Sequence, residues 1–382
     1  MEVRKEHKQS DIMTVPKEWD LEPLGNHVQI TSGASPSLFH FEMNGIPYFK
    51  VEQLSSSEKY LTSNSTPYHF NKGVTVQPNS IVFAKRGAAI ALNKVRILHE
   101  ESFIDTNLMV LTPSGELESE YLYYMLGYIG LWKFADTTSV PQINNKHIKP
   151  LVIPIPKQEE QQAIVKALSD VDALINSLDQ LIAKKRDIKK ATMQQLLTGK
   201  KRLPGFIGEW RNKRLGDVCK ITTGKKDVNE GDFNGLFPFF TCSRSFTFSN
   251  SYSFDTEAIL VAGNGDVGNI HYFNGKFEAY QRTYVLFDFS INVSYLWYQL
   301  SAYLATSLGI GKIGSSIPYI KMENLSNFYF NAPNDLSEQY AIAQVLSDMD
   351  AELFAQEQSR DKTKLLKQAM MQELLTGRIR LV

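Results

Sequence analysis

Apolar residues at Ile164, Leu168, Val171, Ile175, Leu178 and Ile182 step by four and three alternately, the stripe of a helix that packs along another helix. Pro154 and Pro156 precede the stripe and Gly199 follows it with basic residues nearby, which are start and stop signals. The spacing predicts a helix of about forty residues, roughly 60 Å long at 1.5 Å per residue. The stripe occurs twice. Residues 159–203 and 337–381 align without a gap at an offset of 178. That offset superposes Ala163-Ile164 on Ala341-Ile342, and Leu168-Ser169-Asp170 on Leu346-Ser347-Asp348. It also superposes Leu196-Leu197-Thr198-Gly199 on Leu374-Leu375-Thr376-Gly377. An ungapped match of this length implies duplicated structure and a pair of helices forming a coiled coil. The second copy keeps Ile342, Leu346, Met349 and Leu353 on the stripe and then puts Gln356 and Arg360 there, so its far half is expected to pair less tightly or to meet another protein. Asp335 and Glu338 have the spacing of a capping box at its start.

The segments before the helices are duplicated as well. Residues 18–33 (EWDLEPLGNHVQITSG) match 209–224 (EWRNKRLGDVCKITTG) at an offset of 191, including Trp19 with Trp210, Gly25 with Gly216 and Gly33 with Gly224. Short apolar runs at 81–84 and 259–262, bounded by Gly, Asn and Ser, read as strands; helices are expected at 121–134 and 295–304. Each repeat is thus a variable α+β domain followed by a long helix. The boundaries fall at 1–156, 157–203, 204–336 and 337–382, and the joint between repeats contains Pro204 and Gly205.

Composition narrows the function without naming it. The 382 residues suffice for two or three domains, and 43% hydrophobic with 21% charged content is that of an ordinary soluble protein. No apolar run is long enough to span a bilayer, and the polar start MEVRKEHKQSD lacks the apolar core of a secretion signal, so a cytoplasmic protein is expected. Formal net charge is zero, and only 157–203 is basic, with 10 Lys+Arg against 6 Asp+Glu. Nucleic-acid binding would therefore depend on local clusters or on a more basic partner.

Catalytic equipment is sparse. There is no phosphate-loop motif, no nuclease-like acidic constellation and no Asn/Asp-Pro-Pro-aromatic methyltransferase tetrapeptide. The seven histidines and two cysteines show no metal-ligand spacing. Gly263-Asn264-Gly265-Asp266-Val267-Gly268 fits the dinucleotide fingerprint, but the following residues read as a strand, an Asn-Gly turn and another strand, so a glycine-rich turn is the better reading. What remains are loops carrying cations and amides. These are Lys85, Arg86, Gln142, Asn144, Asn145 and Lys146 in the first domain, and Lys225, Lys226, Arg244, Arg282, Lys312, Tyr319 and Lys321 in the second. Arg and Lys suit guanine edges and phosphates, Asn and Gln suit adenine, and these are the candidate DNA-binding residues. Ile164, Leu168, Val171, Ile175, Leu178, Ile182, Ile342, Leu346, Met349 and Leu353 are the candidate helix-packing residues.

The paired motifs resemble the specificity subunits of type I restriction–modification systems. They are E-W-x4-L-G-x5-T-[ST]-G; Pro141, Ile143, Pro156, Glu160-Gln161 and Ile164 with their counterparts Pro318, Ile320, Pro333, Glu338-Gln339 and Ile342; and the closing L-L-T-G-[KR]-x-R-L. The resemblance covers nearly the whole chain. It implies two target recognition domains, each reading one half of a bipartite double-stranded DNA site. It also implies long antiparallel coiled-coil helices that space the domains in a pseudo-twofold internal repeat and dock two methyltransferase subunits. By the same resemblance the chain is non-catalytic: S-adenosylmethionine, ATP and Mg belong on methyltransferase and restriction/motor partners. Two alternatives stay open at this point, a related bipartite-site system whose partner both methylates and cleaves, and a coiled-coil scaffold that binds only protein.

Overall fold

The computed structural model describes residues 7–9, 13–38, 42, 44–136, 140–309 and 319–382. Both long helices are present, Gln158–Leu196 and Leu336–Leu375, each ended by a glycine (Gly199, Gly377) with positive φ. Those glycines do more than end a helix. A Cβ at Gly199 would lie about 3.1 Å from the Trp210 ring, and one at Gly377 would collide with Pro16 at 2.5 Å and approach Trp19. The T-G and E-W motifs are thus two sides of one contact, made once in each half of the molecule.

The chain forms two compact units that do not follow the repeat boundaries. One comprises Met1–Leu178 with Ser359–Val382, the other Asp179–Gln358. Each unit contains one variable domain, the start of the helix that follows that domain, and the end of the other long helix.

In the first unit a five-stranded sheet runs in the order Val28–Ser32, Leu108–Pro113, Ile81–Ala84, Arg96–Leu98, Tyr60–Leu61. One face packs on the helix Ser119–Ile129 through Ile81, Phe83, Ile97, Tyr121 and Met125. The expected helix at 121–134 is interrupted: Gly130 at φ 81° breaks it, and Leu131–Phe134 continue as a 3-10 turn. The same core takes in Ile164 and Leu168 from one long helix and Leu374 and Leu375 from the other. Asp172 pairs with Lys367 at 2.6 Å, and Glu160 pairs with Arg380, so the helices run antiparallel here.

In the second unit a six-stranded sheet has the order Lys220–Thr223, Thr283–Phe287, Phe254–Ala262, Ile270–Ala279, Phe237–Phe240, Thr247–Ser249. The helix Val293–Ser307 packs on it, and the core includes Leu196, Leu197, Ile342 and Leu346. Lys185 with Glu352 at 2.6 Å, and Lys189 with Asp350, again make the helices antiparallel. One expectation fails. Asn274-Gly275 is not a turn, because Ile270–Ala279 is a single strand whose Gly275 pairs with Thr256 in the ladder. The reversal occurs instead at 263–269, where Gly265 and Gly268 supply positive φ.

Along the stripe Ile164, Leu168, Ile175, Ile182, Ile342 and Leu346 are buried, Leu353 is 9% exposed, and Val171, Leu178 and Met349 are half-buried. Ile164, Leu168, Ile342 and Leu346 serve the domain cores as much as the facing helix. The polar stretch of the second helix stays turned inward, with Gln356 and Arg360 half-buried and Thr363 buried.

Candidate nucleic-acid interface

The repeated E-Q pair is the joint of each unit. Gln161 accepts from the Glu118 amide at 2.9 Å and donates to the carbonyls of Glu116 and Pro156, tying the long helix to the lead-in of Ser119–Ile129. Gln339 does the same for Val293–Ser307, accepting from Asn292 N at 2.9 Å and donating to Pro333 O at 2.8 Å. Glu160, 2% exposed, accepts from Trp19 Nε1 at 2.9 Å and from the guanidinium of Arg380, which also lies over the Trp19 ring. Glu338, fully buried, accepts from Trp210 Nε1 at 3.3 Å and from Arg202. Glu338 therefore does not close the capping box expected from its spacing: Asp335 alone caps, accepting from Ser337 N at 2.8 Å, because the half-buried Trp210 and Arg202 donors claim the buried Glu338 carboxylate. In both units the arginine comes from the chain segment after the other repeat's helix.

These frames hold loops at one end of each sheet. In the first unit Leu108 lies opposite Ala84, and Met109 opposite Ser32, so the end of Ile81–Ala84 and the end of Val28–Ser32 coincide. Lys85 and Arg86 follow at that end. Gly87 N donates to Pro141 O, Ile143 N to Lys85 O, and Arg86 pairs with Gln142 in a bridge, so Lys85, Arg86 and Gln142 come together. Asn144 is the N-cap of Asn145–Ile148; Asn144, Asn145 and Lys146 are exposed, and Lys146 reaches Asp136 at 3.4 Å. Lys85 is half-buried and donates to Ser32 Oγ at 2.6 Å; burial, aided by the neighbouring Arg86 charge, lowers its pKa. Gly33 lies beside this site because a Cβ there would overlap Ile104 O, and Gly224 stands against Ala279 O in the second unit for the same reason.

In the second unit the equivalent end of Phe254–Ala262 carries the 263–269 loop. Ile320 N donates to Gly263 O at 2.7 Å and Asn264 bridges Tyr319, which brings Tyr319 and Lys321 to this end. Gly263 N donates to Arg282 O, and Arg244 lies 3.6 Å from Asp266, so Arg282 and Arg244 join them. Arg244, Arg282, Tyr319, Lys321 and Lys225 are exposed. Lys226 is placed differently: its ammonium points inward, donating to Ser249 and Ser251 Oγ and lying 3.7 Å from the fully buried Glu278. Lys312 and Pro318 lie outside the described residues.

Among the described residues no group of three His, Cys, Asp or Glu could hold a metal ion, and burial pushes the Cys219 thiol up to about 12, where it is un-ionised at neutral pH. Among the described residues no helix is long and apolar enough to cross a membrane.

The chain matches the family model of the type I restriction modification DNA specificity domain twice, over residues 16–185 and 207–365. It is 39% identical to the Escherichia coli type I restriction enzyme EcoDI specificity subunit over 145 residues, which is 38% of this chain and 32% of that one. It is 27% identical to the Methanocaldococcus jannaschii type I restriction enzyme MjaVIII specificity subunit across 96% of this chain and 94% of the relative. The crystal structure of a type I restriction–modification S subunit from M. genitalium superposes with a TM-score of 0.62 at 17% identity, covering 96% and 97% of the two chains. The chain belongs to the type I restriction–modification DNA specificity family and carries the family's domain twice.

Proposed function

We propose that this chain is the DNA-recognition subunit of a type I restriction–modification complex, each unit reading one half of a bipartite site in double-stranded DNA. The observation that carries this reading is the duplicated arrangement of loops. In each unit, cations and amides of differing sequence sit at one end of a sheet, on a frame built from the same Trp, Glu, Gln and Gly residues. A constant frame with variable loops suits a protein whose two reading surfaces differ while their support does not. In this reading the chain performs no chemistry: two methyltransferase subunits bring S-adenosylmethionine, restriction/motor subunits bring ATP and Mg, and the assembly works in the cytoplasm. The long helices offer those partners apolar surface. Leu174, Leu365 and Leu366 are at least half exposed in the first unit, as are Phe354 and, to a lesser degree, Ile188 and Leu181 in the second.

Arg86→Ala is expected to cost the assembled complex about 1–3 kcal/mol on its own site and to relax preference at one position of one half-site. Binding to a panel of single-base variants measures both. If every variant weakens equally and the salt slope falls by about one, Arg86 holds a phosphate and does not read a base.

A further inference from the structure

His147 has no metal-ligand spacing in the sequence, yet its ring is bonded at both nitrogens. Nδ1 lies 3.0 Å from the backbone nitrogen of Asn144, and Nε2 lies 3.1 Å from Asp136 Oδ1. A backbone N–H only donates, so Nδ1 accepts and carries no proton. The ring proton is therefore on Nε2 and is donated to the Asp136 carboxylate. Asn144, Asn145 and Lys146 are exposed, whereas His147 is half-buried.

These two bonds join a fixed element to a variable one. His147 belongs to the short helix Asn145–Ile148, which the repeated L-G motif seats: Gly25 N donates to Lys149 O at 3.0 Å, and a Cβ on Gly25 would press against Lys149. Ile143 and Ile148, on either side of the exposed residues, are buried in the core of the first unit. In the second unit Gly216 stands against Ser326 of Met322–Ser326 in the same way. Asp136 belongs to the variable side. Its backbone N donates to Gln142 O at 2.9 Å, and Gln142 in turn bridges Arg86. The Asp136–His147 bond thus closes the segment that carries Gln142, Asn144, Asn145 and Lys146, and ties it to the frame. The counterpart of His147 in the second unit is Asn324, whose Oδ1 accepts from Lys321 N at 3.2 Å. An asparagine therefore suffices for the cap, and the longer imidazole reaches Asp136 as well.

We propose that His147 is a positioning residue for the first half-site: acting through Asp136, it holds Gln142, Asn144 and Asn145 in the arrangement that reads bases, and touches no base itself. A loop fixed before DNA arrives spares the cost of ordering it on binding, and amides held in one arrangement discriminate more sharply. The proposal rests on the DNA-recognition reading above. Absence of site-specific binding by the unaltered complex would overturn that reading, and the proposal with it.

The test uses the full chain assembled with its methyltransferase partners and a panel of single-base variants across both half-sites. His147→Asn keeps an acceptor for the Asn144 amide and loses the reach to Asp136. It is expected to weaken cognate binding about three- to tenfold and to relax preference within the first half-site, with the second half-site read as before. Asp136→Ala should reproduce this loss, and the double variant should be no worse than either single one. Asp136→Asn, which keeps an oxygen for the Nε2 proton while removing the charge that draws Lys146 to 3.4 Å, should recover most of the preference. In the free chain, the ring nitrogen resonances that disappear in His147→Asn are expected to show a bare Nδ1 and a protonated Nε2 at neutral pH. Full preference in His147→Asn would overturn the proposal, because the cap alone would then account for the imidazole. Additive losses in the double variant, equal loss at both half-sites, or a proton on Nδ1 would overturn it as well.

Discussion

Exchanging residues 204–336 for the corresponding segment of a relative with a different target is expected to replace one half of the recognised DNA site and leave the other half intact. The second unit has its own sheet and its own cores, and 204–336 contains every second-unit loop that carries a candidate contact: Lys225, Arg244, the 263–269 turn, Arg282, Tyr319 and Lys321. The first unit draws no strand from this segment. The donor must keep the frame, because the core of the second unit also takes in Leu196, Leu197, Ile342 and Leu346 from outside the segment. A donor segment with Trp at position 210, and with the backbone N–H at 292 and carbonyl at 333 placed for the retained Gln339, meets that requirement. At about 1–3 kcal/mol per mismatched base pair, even two altered positions shift preference by about 30-fold or more. Sequencing modified adenines in cells carrying the exchanged chain reads out both halves at once. If both half-sites change together, the units do not read independently.

Glu160→Ala is expected to destabilise the first unit by about 2–4 kcal/mol. The carboxylate is nearly inaccessible and serves two donors, the Trp19 indole and the Arg380 guanidinium. Breaking a buried charged pair costs about 3–5 kcal/mol. The Arg380 side chain is 36% exposed and regains water, which places the estimate below the top of that range. The Trp19 N–H is fully buried and has no other partner, so its lost bond contributes most of what remains. Glu160→Gln keeps an acceptor for the indole and should cost about half as much. Glu338→Ala should reproduce the loss in the second unit, where Trp210 and Arg202 are the donors. Hydrogen exchange localises each effect: amides around Trp19 lose protection in one variant, and those around Trp210 in the other. Unchanged protection at Trp19 in Glu160→Ala would mean that the buried carboxylate is not what joins the helix, the tryptophan and the C-terminal arginine.

The sequence made the duplication plain because an ungapped offset survives any uncertainty about element type. It revealed the ends of the helices through Gly199 and Gly377, and the strand Ile81–Ala84 to the residue. It was silent on which residues the frame brings together. Trp19, Glu160 and Arg380 are far apart in the chain, and no periodicity links them; only their recurrence as Trp210, Glu338 and Arg202 carried a signal. The capping-box spacing at Asp335 and Glu338 misled because tertiary donors, the Trp210 indole and the Arg202 guanidinium, outcompete a local one for a carboxylate that is fully buried. Asn274-Gly275 misled similarly, since a long partner strand holds both of its flanks in one ladder. Among the interface residues, residue type gave Lys226 the same weight as Lys225. Only the fold reveals that one neutralises Glu278 and the other faces solvent.

The most direct test of bipartite recognition is selection of bound duplexes from a randomised library by the chain assembled with its methyltransferase partners. Two short invariant sequences separated by an unread gap of constant length are predicted, with one of the two altered by Arg86→Ala and the other by Arg244→Ala. Enrichment of a single uninterrupted motif, or no enrichment above that of the partners alone, would contradict the account.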